Sequence, residues 1–129
     1  MFTSVNSRAA SAYKRVAVET SVQGADPHTL VGLLYDALLQ SIAQARGAME
    51  RQQTSMKGEL IGKAIGIISG LREGLDLQQG GELAANLDSL YQYMVSRLLE
   101  ANVKNDAAPL DEVAGLLRNV KTGWDAIGQ

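Results

Sequence analysis

Between Pro27 and Ile127 the apolar residues recur at intervals of three and four, in four separate runs. Leu30, Leu34, Ala37, Leu38, Ala45 and Met49 keep helical spacing in the first run. Leu60, Ile61, Ala64, Ile65, Ile68, Leu71 and Leu75 do so in the second. Leu83, Leu87, Leu90, Met94, Leu98 and Ala101 form the third, and Leu110, Val113, Leu117, Val120, Trp124 and Ile127 the fourth. Asp26 is a good N-cap, and Pro27 follows at the first helical position, where its missing N–H costs nothing. A short turn near Gln52, the Gly80-Gly81 break and a turn from Lys104 to Ala108 separate the runs, with Pro109 at the mouth of the last. The spacing therefore predicts helices over about 27–51, 55–77, 81–103 and 108–127. Connections this short force neighbouring helices to run antiparallel, and no segment carries a period-two strand pattern. The expected fold is all-α: an antiparallel up-down-up-down four-helix bundle over 26–129. Residues 1–25 differ, being rich in Ser, Ala and Val, with Tyr13, Val16, Val18 and Val22 as the sizeable anchors beyond Phe2. They read as a short, mobile N-terminal arm, with a helix around Ser7 to Tyr13, that cannot hold itself together alone and packs on the bundle.

The third helix carries more apolar surface than a bundle core requires. Its six-residue stripe spans an arc of roughly 80° at 100° per residue, a normal inward face. Val95, Leu99 and Val103 make a second stripe turned about 100° or more from the first, with Tyr91 and Asn102 on its border. That stripe calls for cover, by the chain's own N-terminus or by a partner. Tyr91 is expected at the edge of the core with its hydroxyl in water. Tyr35 and Tyr93 read equally as surface anchors or as rigid amphipathic contacts for a partner. Trp124 reads as core.

The second helix holds Gly58, Gly62, Gly66, Gly70 and Gly74, one every four residues. Each opposes helicity by about 0.8–1 kcal/mol relative to Ala. On a helical wheel the ladder occupies the side opposite Leu60, Ile67, Ile68 and Leu71. It is either a trench where a partner segment approaches the backbone or a tolerated, pliable outer face.

Composition narrows the chemistry. The chain has 129 residues, 46% of them hydrophobic and only 5% aromatic, which suits one Leu/Ile/Ala-packed helical domain. Twelve basic residues against fourteen acidic ones leave a formal charge of −2, and no basic cluster exceeds the Lys14-Arg15 pair, so a nucleic-acid footprint is missing. There is no cysteine, hence no disulfide framework or thiolate site. No apolar run reaches signal-peptide length in the first residues or membrane-span length anywhere, so a cytosolic protein with no membrane insertion is expected. A single His leaves little for a metal site or a catalytic triad, and no Gly-rich phosphate loop joins a strand to a helix. No cofactor, metal or catalytic residue is expected. One alternative rests on His28: His28-Thr29-Leu30-Val31-Gly32 resembles the H-x-L-K-G core of histidine phosphotransfer domains, which are also four-helix bundles. Here Val31 stands where those domains carry Lys, and His28 lies in a first turn rather than mid-helix.

A broader likeness runs through the chain. Gly80-Gly81-Glu82-Leu83-Ala84, Asn86-Leu87, Leu90-Tyr91 and Tyr93-Met94, followed by Leu98, Ala101-Asn102 and Asn105-Asp106, resemble the third helix and following turn of the FliS family, the flagellin-specific export chaperones of bacterial flagella. Ala12-Tyr13-Lys14 with Val16 resembles that family's N-terminal tyrosine segment. Ala25-Asp26-Pro27-His28, Leu30-Val31 and Leu33-Leu34-Tyr35-Asp36 resemble the opening of its first long helix. Lys63-Ala64-Ile65 with Leu71 and Leu75-Asp76 matches its second helix, and Leu110-Asp111-Glu112-Val113 with Trp124 its last. The individual pieces are unspecific; their order over most of the chain makes the match.

The resemblance implies a cytosolic chaperone without catalytic activity. It would bind the disordered C-terminal segment of flagellin, prevent premature polymerisation and deliver its client to the export gate of the flagellar type III apparatus. An anti-sigma factor or another flagellar regulator is a further partner it allows. Tyr13 and Val16 match the family's arm and are expected to occupy the client groove until displaced. Tyr35, Tyr91, Val95, Leu99, Asn102 and Val103 complete the expected flagellin-binding set; the last five follow from the extra stripe, with the Asn102 amide placed to fix the register of a bound backbone. An unrelated helical adaptor for some other amphipathic helix is the remaining alternative.

Overall fold

The computed structural model describes residues 26–76 and 80–127. Its four helices are α1 (Pro27–Glu50), α2 (Thr54–Glu73), α3 (Gly81–Lys104) and α4 (Ala108–Ile127), and the described residues contain no strand. The expected arm at 1–25, with its anchors Tyr13 and Val16, lies outside the described residues.

Local chemistry sets the ends. The Asp26 carboxylate accepts from the Thr29 amide at 2.9 Å and from the Thr29 hydroxyl at 3.1 Å, satisfying an orphan donor at the start of α1. The expected continuation of α2 to about Leu77 is corrected: the helix stops at Glu73. The Gly74 amide still reaches Gly70 O at 3.2 Å, but the Leu75 amide turns to Arg72 O at 3.1 Å, tightening the last turn and ending the ladder of i→i−4 bonds. Gly81, at φ +57°, makes the entry to α3 in a conformation that L side chains rarely adopt. At the other end of α3, Asn105 is left-handed (φ 52°, ψ 49°) and the Asp106 amide returns to Ala101 O at 3.1 Å. The Asp106 carboxylate accepts from the Ala108 amide at 3.0 Å and so tethers the start of α4.

Cross-helix contacts give the topology directly. His28, at the start of α1, meets Trp124 near the end of α4, while Arg46, near the end of α1, meets Asp111 in the first turn of α4. Lys57, at the start of α2, meets Asn102 at the end of α3, and Arg72 meets Asp88. Each pair runs start to end, so neighbouring helices are antiparallel. α1 packs on α2 and α4, and α3 packs on α2 and α4, which leaves α1 and α3 diagonal across the bundle.

The core is Leu- and Ile-rich, with Leu34, Leu38, Ile61, Ile68, Met94, Leu98, Leu110 and Leu117 sealed from solvent. Two expectations about its outline are corrected. Leu83 is 63% exposed rather than inward, and α3 buries Ala84, Tyr91, Met94, Leu98 and Ala101, with Leu87 and Leu90 half-buried. At 100° per residue this face is turned by roughly 30–40° from the expected one, because Ala84 and Tyr91 join it on one side while Leu83 stands at the end of the bundle. Ile127, at the last position of α4, is exposed for the same end effect. Trp124 is half-buried against the core.

The glycine ladder is likewise only partly outside. A Cβ on Gly58, Gly62 or Gly66 would meet nothing within 4 Å, but Gly70 and Gly74 are buried. Four-residue steps drift about 40° each, so a ladder that begins outside winds into the bundle over its length.

Candidate functional site

The second stripe of α3 is present as surface. Val95 leans on the core half-buried, Asn102 is half-buried, Leu99 is 50% exposed and Val103 83% exposed. The core face of the same helix is already filled by Met94, Leu98 and Ala101, so these side chains are not needed inside. Val95, Leu99 and Asn102 lie on the flank of α3 toward α2, the flank from which Asp88 bonds Arg72 at 2.8 Å and Asn102 O accepts from Lys57. Across that groove, Gly58 and Gly62 lie about 40° and 80° around α2 from Arg72 and present no side chain. The stripe therefore faces a flank of α2 that carries no side chain at Gly58 and Gly62.

Tyr35 and Tyr91 are elsewhere. Each is 1% exposed, so the expected edge position of Tyr91 and surface position of Tyr35 are both corrected. Their hydroxyls meet at 2.5 Å, joining diagonal helices through the middle of the bundle. The reason is mutual satisfaction: each buried phenol finds the other as polar partner in place of water. Burial pushes the Tyr35 phenol above its ordinary pKa of 10.0, opposed in part by the Tyr91 hydrogen bond. The Trp124 ring stands edge-on to Tyr35 at 6.3 Å and stacks on the His28 imidazole at 4.6 Å, while its indole N–H donates to His28 O at 2.9 Å. His28 thus serves as a lid on Trp124, and the Val31 that replaces the phosphotransfer lysine is buried in the core.

Of the two expected surface tyrosines, Tyr35 and Tyr93, the latter is exposed, and its hydroxyl donates to Glu112 Oε2 at 2.6 Å. Arg97 donates to the other oxygen of Glu112 at 2.6 Å and pairs with Glu100, which also takes Lys104 at 3.3 Å. The Tyr93 hydrogen bond first, then Arg97, holds the Glu112 carboxyl below its ordinary range. On the opposite side Arg46 grips Asp111 with two bonds, at 2.7 and 3.2 Å, and also pairs with Glu50.

Lys57 was missed by sequence reasoning. Only 5% exposed, its ammonium donates to Asn102 O at 3.2 Å and to Asn105 Oδ1 at 3.0 Å. A signal was available: Lys57 heads the core stripe Ile61, Ala64, Ile68 at helical spacing. A lysine there must snorkel out or find acceptors, and it finds them on the next helix.

Surface depressions carry little chemistry. One of 390 Å³ is lined by Gln53, Thr54, Ser55, Met56 and Glu59. Another of 210 Å³ involves His28, Asp36, Lys121 and Asp125, whose carboxylates are engaged by Lys121 at 3.5 and 2.9 Å. Among the described residues no group of three His, Cys, Asp or Glu is placed to hold a metal, and no helix is long and apolar enough to cross a membrane.

The family model for flagellar protein FliS matches residues 9–129. The chain is 58% identical over 120 residues to flagellar secretion chaperone FliSB of Pseudomonas aeruginosa, covering 93% of this chain and 95% of that relative. It is 46% identical over 117 residues to flagellar secretion chaperone FliS of Salmonella typhimurium (90% and 87% covered). With the FliS of Bacillus subtilis it shares 36% over 106 residues (82% and 78% covered). The chain therefore belongs to the FliS family, a family of flagellar secretion chaperones and not of enzymes.

Proposed function

We propose that this protein binds the C-terminal segment of flagellin in the cytosol, shields it from premature polymerisation and carries it to the flagellar export gate. The observation that carries the reading is the apolar stripe on α3, where Leu99 and Val103 stay in solvent although the helix has filled its core face. A segment that is disordered before assembly and carries its own apolar stripes would fold as a helix against such a surface, burying both. Ordering the segment consumes part of the interaction energy, which keeps release at the export apparatus feasible. Val95, Leu99, Asn102 and Val103 form the proposed contact, with the Gly58–Gly62 flank of α2 as the opposite wall. Tyr13 and Val16 are proposed as the part of the arm that occupies the groove until the client displaces it. Tyr35 and Tyr91 act through the shape of the bundle, since neither offers surface.

Calorimetric titration with the C-terminal segment of the cognate flagellin tests this reading. Saturable binding near one-to-one with a large negative heat-capacity change is expected, as apolar burial with coupled folding requires. Leu99→Asp places a charge in the stripe at an already exposed position, so the bundle should stay folded while affinity falls by at least about tenfold. Full affinity in a folded Leu99→Asp protein would remove the stripe from the contact.

A further inference from the structure

Lys57 sits in the first turn of α2, where a positive charge opposes the helix's own dipole, and its stem lies in the core stripe. Both features are unfavourable at that position taken alone. They are explained by where the ammonium ends: on the last turn of α3, at a helix C-terminus, with the Asn102 carbonyl and the Asn105 side-chain oxygen as acceptors. Asn102 O is one of the carbonyls that an α-helix leaves unpaired at its end. Asn105 is the left-handed residue that closes the helix, so Lys57 grips the closing turn at two points. That same turn carries Asn102 and Val103, and the turn before it carries Leu99.

We propose that Lys57 is a positioning residue for client docking, holding the C-terminal end of α3 so that the Leu99–Val103 stripe is a rigid helical face in the free protein. The proposal rests on the flagellin-binding reading above. Its physical basis is preorganisation: a face already helical spares the ordering cost that a frayed turn adds at the moment of binding. Both acceptors are uncharged oxygens, so removing the ammonium takes away their shared donor without leaving an unpaired carboxylate behind.

The test pairs Lys57→Met, which keeps a stem of similar bulk, with Asn105→Gly, an exposed position where glycine adopts the left-handed conformation freely but lacks the acceptor. Ile42→Val, a core change on α1, serves as the control for general loss of stability. Backbone amide exchange in the full chain is read together with affinity for the purified C-terminal flagellin segment. For Lys57→Met, exchange should quicken roughly ten- to a hundredfold at 102–106, with α1 unchanged, and affinity should fall about tenfold. Asn105→Gly should show the same pattern, weaker, and decides the matter if Lys57→Met does not fold. Ile42→Val should quicken exchange across the bundle and leave affinity alone. Unchanged exchange and affinity in the folded variants overturn the role of Lys57, as does an equal loss of affinity in Ile42→Val. Absence of binding by the wild-type chain overturns the flagellin reading, and with it any docking role for Lys57, whatever the exchange rates show.

Discussion

The buried hydroxyl pair is the clearest residue-scale feature that helical periodicity does not disclose. A wheel puts Tyr91 beside the inward face and leaves Tyr35 open to either side, and a tyrosine at an edge normally sends its hydroxyl to water. Here the two rings come from diagonal helices and supply each other's polar partner at 2.5 Å. Tyr35→Phe and Tyr91→Phe are each expected to destabilise the bundle by about 1 kcal/mol, with the double variant costing less than the sum by roughly 0.5 kcal/mol or more. Urea unfolding of the four proteins measures that coupling; strict additivity would show that the two hydroxyls do not act together. Lys57 teaches a parallel lesson. Its place at the head of a core stripe was legible, but the acceptors that make it tolerable are at the end of α3 and its cap, forty-five and forty-eight positions further on.

At the scale of the element, α2 is a helix whose composition works against it. Gly62 and Gly66 are exposed within the helix and have open space where a Cβ would be. Gly62→Ala and Gly66→Ala should therefore each stabilise the protein by about 0.8–1 kcal/mol in denaturant unfolding. If Gly62→Ala raises stability and lowers affinity for the flagellin segment, the α2 flank is part of the trench; if affinity holds, it is a tolerated outer face. Gly80→Ala should act in the opposite direction, since a Cβ there would lie 2.6 Å from Ala84 Cβ and 2.7 Å from Asp76 O. Helix starts were legible because capping chemistry is local, as Asp26-Pro27 illustrates. The end of α2 was not, because apolar spacing continues to Leu75 while the backbone has already turned at Gly74.

For the whole molecule, antiparallel packing brings helix starts against helix ends, and the ion pairs follow. Hydrogen bonds from Arg72 and Arg46 hold Asp88 and Asp111 below the ordinary value of 3.8, and the Thr29 amide does the same for Asp26. Tyr93 with Arg97 holds Glu112 below its own ordinary value of 4.5. A carboxyl depressed in the fold contributes stability above its unfolded pKa and loses it as the pH falls through the folded value. Stability should thus decline below about pH 4, and less steeply in high salt because these groups face solvent. Tyr35 and Tyr93 are raised, by burial and by the Glu112 hydrogen bond respectively, so their contribution is complete below 10.0 and is lost as the pH rises beyond it. Urea midpoints followed across pH should form a plateau with a fall on each side, and Tyr35→Phe should flatten the alkaline one.

What the sequence determines by itself is whatever one helix can express alone: four apolar periods, their caps, the short turns that make them antiparallel, and an extra stripe at Val95, Leu99 and Val103 that no single core face absorbs. The order of its motifs also carries the family. Tertiary structure decides what depends on two helices at once. It turns the inward face of α3 onto Tyr91, exposes Leu83 at the end of the bundle, winds Gly70 and Gly74 into the interior, and joins Lys57 to the last turn of α3. The physical reason is that periodicity records the angle of a residue about its own axis, whereas burial and hydrogen bonding depend on how far along and how closely the neighbouring helix lies.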